Sequence, residues 1–167
     1  MDLIIKIIAD LLVVPIVIIA SYYLIRHVPK DRRFESYSRI LLAGLTAYLL
    51  AKLVGAVYQP TDVRPFEAMG VDPGASYLDN PGFPSDHMLF VTALVCAVWF
   101  ETRKKGATIL LASMTALVGL GRILALVHTP LDVIGGLVIA LIGAMWYSNK
   151  PKGGQKRRKN NGKGSRR

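Results

Sequence analysis

Gly121-Arg122-Ile123-Leu124-Ala125-Leu126-Val127-His128-Thr129-Pro130-Leu131-Asp132 is the stretch on which the reading of this chain turns. It joins two long apolar runs, Ala107–Leu120 and Leu131–Tyr147. An arginine, a histidine and a carboxylate are costly beside hydrocarbon, so ionisable groups placed there are functional candidates. With helix resuming at His128, His128 and Asp132 lie four residues apart on one face. A carboxylate at that distance accepts the imidazole N–H, fixes its tautomer and leaves the other nitrogen facing outward. Arg122 supplies a planar fork of donors suited to phosphate or carboxylate. An oriented imidazole beside a guanidinium is a nucleophile or base next to an anion-binding group.

Outward from this stretch, the chain is apolar on a scale that an ordinary soluble core does not need. Of 167 residues 52% are hydrophobic, and the mean hydropathy is +0.38. The length allows one domain. The apolar residues fall in runs long enough to span a bilayer, which predicts an all-α polytopic membrane helix bundle of about five transmembrane helices. The spans are Leu3–Ile25, Ile40–Tyr58, Ser85–Phe100, Ala107–Leu120 continuing towards Val127, and Leu131–Tyr147. In the first, Lys6 and Asp10 are spaced to pair on one helix face, and Pro15 is placed to kink the helix. The third is short and is expected to extend at either end. Lys6, Asp10 and the lack of an A-x-A-like site after the first run favour a retained span over a cleaved signal peptide. Cys96 is the only cysteine, so no intrachain disulfide forms; it reads as a small apolar helix residue.

The basic residues set an orientation. Nine of the 21 Lys and Arg lie in Lys150–Arg167, and others crowd the connectors 26–39 and 101–106. The connector 59–84 is acidic, with Arg64 its only basic residue. The positive-inside rule then puts the N-terminus outside and the C-terminus in the cytoplasm of a multi-pass plasma-membrane protein. Residues 1–147 form the transmembrane domain, and 148–167 a disordered polybasic cytoplasmic tail. The tail is expected to meet anionic membrane lipids. It carries no stacking aromatics, so nucleic acid is not expected as a partner.

Two further segments fall on the same outer face. Phe83-Pro84-Ser85-Asp86-His87 opens the third span. Ser85 and Asp86 suit a helix N-terminus, and a capped helix explains them without any ligand. His87 argues for more. A helix N-terminus with a serine hydroxyl binds phosphate, and a histidine one turn in can protonate a leaving oxygen. Arg64-Pro65 lies in the acidic loop, where most arginines are simply solvated. Lys52 sits inside the second span, equally suited to snorkelling and to binding a ligand. His87, His128 and Asp132 are legitimate metal ligands, but Arg64 and Arg122 beside them repel a cation and favour an oxyanion. No metal and no cofactor are expected.

Taken together, these segments resemble the three-part phosphatase signature of the type 2 phosphatidic acid phosphatase superfamily, which also includes vanadium haloperoxidases. Arg64-Pro65 is similar to the end of the first motif, Pro84-Ser85-Asp86-His87 to the second, and Arg122, His128 and Asp132 to the third. The Phe-Pro-Ser-Asp-His form, with the Tyr-Gln-Pro and Arg-Pro-Phe context, is most similar to bacterial undecaprenyl-diphosphate phosphatases of that superfamily. There are departures. Val57 stands where the first motif usually has lysine, with Lys52 twelve residues before Arg64. Gly121 stands where a serine commonly precedes the third-motif arginine, and five spans are found where six are usual.

The resemblance implies a metal-independent lipid phosphatase with an outer-face active site. His128 would be the nucleophile, forming phosphohistidine, with Asp132 orienting it and His87 as general acid. Arg64, Ser85, Arg122 and main-chain N–H groups near Asp86 would hold the phosphoryl oxygens, with Lys52 a further candidate. The expected substrate is a lipid phosphate or diphosphate, in the first place a polyprenyl (undecaprenyl) diphosphate converted to the monophosphate. Phosphatidic acid and phosphatidylglycerophosphate are the alternatives within the same chemistry. A non-catalytic membrane scaffold with a basic tail is the alternative from another class.

Overall fold

The computed structural model describes residues 3–61, 63–78 and 82–148. The polybasic tail read from the sequence lies outside them, apart from Ser148. Among the described residues the chain is helical and without strands. In chain order the helices are α1 (Leu3–Lys6), α2 (Val13–His27), α3 (Arg33–Val57), α4 (Pro65–Met69), α5 (Asp86–Thr102), α6 (Lys105–Leu124) and α7 (Pro130–Gly143). Four stretches are long and apolar enough to cross a membrane: Leu3–His27, Lys30–Val57, Lys105–Leu124 and Pro130–Ser148. The third expected span, α5, has 17 residues and so is about 26 Å long. It gains two residues at its C-terminal end and none at the other.

α5 is the centre of the bundle, in contact with α2, α3, α6 and α7. Its apolar residues Met88, Val91 and Val98 are buried against Ile16, Leu111 and Val118. The outer faces of the other helices carry exposed Leu3, Leu41, Leu53, Ile109 and Leu124 instead of charge. An apolar belt of this kind suits hydrocarbon as the surrounding solvent. This is a membrane protein with an all-α polytopic bundle.

Pro15 acts on the first helix differently from a simple kink. Lacking an N–H, it cannot bond the carbonyl four residues back. The turn before it widens into a π segment, Ile7–Leu11, in which the Leu12 N–H reaches the Ile7 carbonyl at 3.0 Å. Asp10 lies within that wide turn. It does not pair with Lys6, as the four-residue spacing suggested, but crosses to α6.

The two ends of α5 are tied by different chemistry. At its C-terminal end Glu101 accepts Ser36 Oγ at 2.6 Å and Arg39 Nε at 3.0 Å, both from α3. The connector expected over 26–39 is therefore shorter than read, because α3 already begins at Arg33. Phe100 stacks on Tyr147 beside this network. At its N-terminal end the Ser85 N–H bonds the Asp132 carbonyl of α7 at 2.9 Å.

α5 and α7 approach most closely at Gly136, where an added Cβ would stand 2.5 Å from the Ser85 carbonyl oxygen. Gly136→Ala should lower the melting temperature in detergent by several degrees, since overpacking typically costs about 1–3 kcal/mol. Gly44→Ala, which meets nothing within 4 Å, should not. Equal melting temperatures for the two variants would contradict this packing.

Candidate active site

The stretch from Arg122 to Asp132 folds as a tight turn between α6 and α7. The Ala125 N–H bonds the Gly121 carbonyl at 2.9 Å, and the Leu126 N–H bonds that of Ile123 at 2.9 Å. Leu126 then takes a left-handed conformation, φ 59°, which is uncommon for a branched side chain. This reverses the chain and puts His128 back over Arg122. Helix resumes at Pro130, not at His128. Thr129 is the N-cap: its Oγ1 accepts the Asp132 N–H at 3.2 Å, and Asp132 Oδ2 accepts the Thr129 N–H at 2.7 Å. The reciprocal cap fixes the Asp132 carboxylate, and its Oδ2 faces His128 Nδ1 at 3.6 Å. The two side chains expected to pair do face each other, at a distance longer than a hydrogen bond, and capping geometry brings them together, not a shared helix face.

His128 is buried. Burial holds its pKa below the ordinary histidine value, and the positive charges of Arg122 and Arg64 act in the same direction against the opposing Asp132 carboxylate. With Nδ1 turned to a carboxylate, Nε2 is the nitrogen left with a lone pair.

Arg122 is the largest fully buried side chain, 1% exposed. Its Nη1 donates to Asp10 Oδ1 and to the Ser76 carbonyl, both at 2.8 Å. Its Nε has no partner. Arg64 is not a solvated loop residue. It donates Nη1 to the Val127 carbonyl at 2.6 Å and Nη2 to that of Leu78 at 3.0 Å, and lies over the Tyr77 ring. The Arg64 N–H in turn bonds Glu67 Oε2 at 2.9 Å in the first turn of α4. Two loops far apart in sequence therefore meet at one end of the bundle.

Ser85 holds the N-cap position of α5, yet its hydroxyl caps nothing. The side chain is fully buried and Oγ has no partner, so the group is left for something other than the helix. His87 is half-buried, and the charges acting on it are those of Arg122, Asp10, His128 and Asp86. Asp86 turns to the rim, where both its oxygens accept Lys52 Nζ at 3.1 Å. Lys52 thus neither snorkels away nor joins Arg122; it neutralises the carboxylate at the N-terminus of α5. An anion there meets main-chain N–H groups without facing an unpaired carboxylate. Among the described residues no group of three or more His, Cys, Asp or Glu is placed to hold a metal.

Five positioning residues were not singled out for this end of the bundle. Asp10 carried the signal of an acid inside an apolar run, but Lys6 at the right spacing gave it a nearer partner. Thr129 was visible as Thr-Pro-Leu-Asp, a capping pattern. Gln59, whose side chain binds the Phe83 N–H and carbonyl, Glu67 and the Ser76 carbonyl had no local signal.

Comparison with known proteins places the chain in a family. The chain is 33% identical over 111 residues to "Undecaprenyl-diphosphatase BcrC" of Bacillus subtilis (strain 168), covering 65% of this chain and 55% of that protein. It is 26% identical over 125 residues to "Bacitracin transport permease protein BcrC" of Bacillus licheniformis, covering 74% of this chain and 59% of that protein. The match spans less than two thirds of either relative's length. No solved structure matches the chain. The family model described as the PAP2 superfamily matches residues 36–153, which include Arg64, Ser85, His87, Arg122, His128 and Asp132. By that match, over more than half of its length, this chain belongs to the PAP2 superfamily.

Proposed function

We propose that this protein is an integral-membrane lipid phosphatase that hydrolyses a polyprenyl diphosphate to the monophosphate through a phosphohistidine on His128. The observation that carries the reading is His128 itself: buried, with Nδ1 turned to Asp132, and with Arg122, Arg64 and His87 around it. The PAP2 match and the name of the Bacillus subtilis relative support the substrate class.

The chemistry runs in two displacements. Nε2 of His128 attacks the terminal phosphorus, and the bond from that phosphorus to the bridging oxygen breaks. The lipid monophosphate leaves and takes a proton from His87. Negative charge spread over three phosphoryl oxygens is met by Arg122, Ser85 Oγ and N–H groups at the start of α5, within reach of the Arg64 charge. His87, now a base, takes a proton from water, which attacks phosphorus and breaks the P–N bond. Inorganic phosphate leaves and His128 is restored neutral. Asp132 stabilises the N–H on Nδ1 throughout.

The active site faces outward in this reading. Basic residues of the α2–α3 and α5–α6 connectors gather at the Glu101 end of the bundle, and the site is at the other. In a Cys96→Ala background, a cysteine at exposed Asp72 should react with an impermeant thiol reagent on intact cells, and one at exposed Lys104 should not. The opposite pattern would put the site in the cytoplasm.

Phosphate release by purified protein from a panel of lipid phosphates tests the function, and the two histidines test the mechanism. His128→Ala should be inactive on every substrate. His87→Ala should lose most on phosphatidic acid, whose alkoxide leaving group needs an acid, by about a hundred- to ten-thousand-fold. It should lose less in the first step on a diphosphate or on p-nitrophenyl phosphate, and show a burst before slow turnover. Equal losses on all leaving groups without a burst would overturn the assignment. Preference for phosphatidic acid over polyprenyl diphosphate would move the substrate while keeping the chemistry.

A further inference from the structure

The PAP2 match begins at residue 36, so the first helical stretch, Leu3–His27, contributes nothing to the family signature. Even so, it reaches the candidate site. The π segment Ile7–Leu11 lies directly on α6 at Gly121, where an added Cβ would stand 2.9 Å from the Ala9 nitrogen and 2.9 Å from Ile8 Cγ2. Glycine here is thus a packing requirement. The wide turn points Asp10 across the contact. Oδ1 accepts Arg122 Nη1 at 2.8 Å, and Oδ2 accepts the Ser76 N–H at 2.9 Å. Arg122 Nη1 also donates to the Ser76 carbonyl at 2.8 Å. Asp10, Arg122 and the Ser76 main chain, through its N–H and its carbonyl, form a closed ring of hydrogen bonds joining three segments far apart in sequence.

Building on the phosphatase reading, we infer that Asp10 is the positioning residue for the phosphate-binding guanidinium, a carboxylate supplied by the first helix from outside the family core. A free arginine fork can offer any of its edges. With Nη1 held by Asp10 and Ser76, the Nε side, which has no protein partner, is the edge left for phosphoryl oxygens. Asp10 also balances the charge of a guanidinium that is almost wholly buried. At 15% side-chain exposure it is itself largely screened from solvent. The bond from Oδ2 to the Ser76 N–H ties the outer loop to the same point, so loop and arginine keep one relative position. Asp10 touches no substrate in this account; it acts through Arg122.

The test compares wild type, Asp10→Asn and Asp10→Ala in the full chain in detergent, measuring turnover on a polyprenyl diphosphate and inhibition by vanadate. Vanadate reports the pocket in its trigonal-bipyramidal, transition-state form. Asp10→Asn keeps an acceptor and the side chain's shape but removes the charge; Asp10→Ala removes both. kcat/KM should fall in both variants, approaching about a hundredfold in Asp10→Ala, the scale for a misplaced catalytic group. The vanadate inhibition constant should rise by the same factor as kcat/KM falls. A purely structural role would lower the melting temperature and leave both quantities at wild-type values in the folded fraction, which would overturn the inference. Tighter vanadate binding in either variant would also overturn it, since Asp10 would then be a competitor for Arg122. Failure of both variants to yield folded protein would assign Asp10 to folding and overturn it as well. A wild type that neither releases phosphate nor responds to vanadate overturns the phosphatase reading and this inference together. An active, vanadate-sensitive wild type with unchanged variants overturns this inference alone.

Discussion

A guanidinium sealed at one end of an apolar helix bundle is the constraint on which that end of this structure depends. Arg122 is 1% exposed, and a charge so placed must be met by opposite charge and by acceptors. Removing one partner from such a pair costs about 3–5 kcal/mol, so the partners are held as firmly as the arginine. Asp10 and the Ser76 carbonyl meet it, and in doing so they fix the first helix and the loop that carries Ser76. Arg64 repeats the pattern with the Val127 and Leu78 carbonyls, pinning the same loop to the turn before His128. The two arginines thus build the walls of the site as well as its positive field.

The remainder of the bundle keeps that end in place. α5 is fixed at its Glu101 end by Ser36 and Arg39 and at its Ser85 end by the Asp132 carbonyl. α7 is fixed by the Thr129–Asp132 cap, whose carboxylate also faces His128. One carboxylate therefore caps the start of a helix and faces an imidazole. Phosphoryl transfer depends chiefly on positioned charge around the equatorial oxygens, and rigid elements converging on one point provide it.

Much of this was legible in the sequence, for specific physical reasons. All five long helices announced themselves by hydropathy, because hydrocarbon leaves the chain little alternative to helix. Their ends were less legible: α3 takes in Arg33 and Arg39 because Glu101 lies opposite, which no local pattern encodes. The spacing of His128 and Asp132 brings them face to face although the helix starts later, because the cap returns the carboxylate to the same place. Ser85 looked like a cap and holds that position without the cap's hydrogen bond. Asp10 was given to Lys6 because the four-residue rule assumes an α-helix, and Pro15 had already turned that segment into a π turn. Long-range partners such as Ser76 and Gln59 left no trace in the sequence near the residues they hold.

The central claim is that His128 attacks phosphorus through Nε2. Its most direct test is to react the His87→Ala enzyme with a lipid diphosphate, quench it under alkaline conditions that preserve phosphoramidates, and locate the phosphoryl group by mass spectrometry and phosphorus NMR. The account predicts an acid-labile, base-stable phosphate on His128, bonded to Nε2. Phosphate on any other residue, or turnover with no covalent phosphate at any time in the burst, would contradict it.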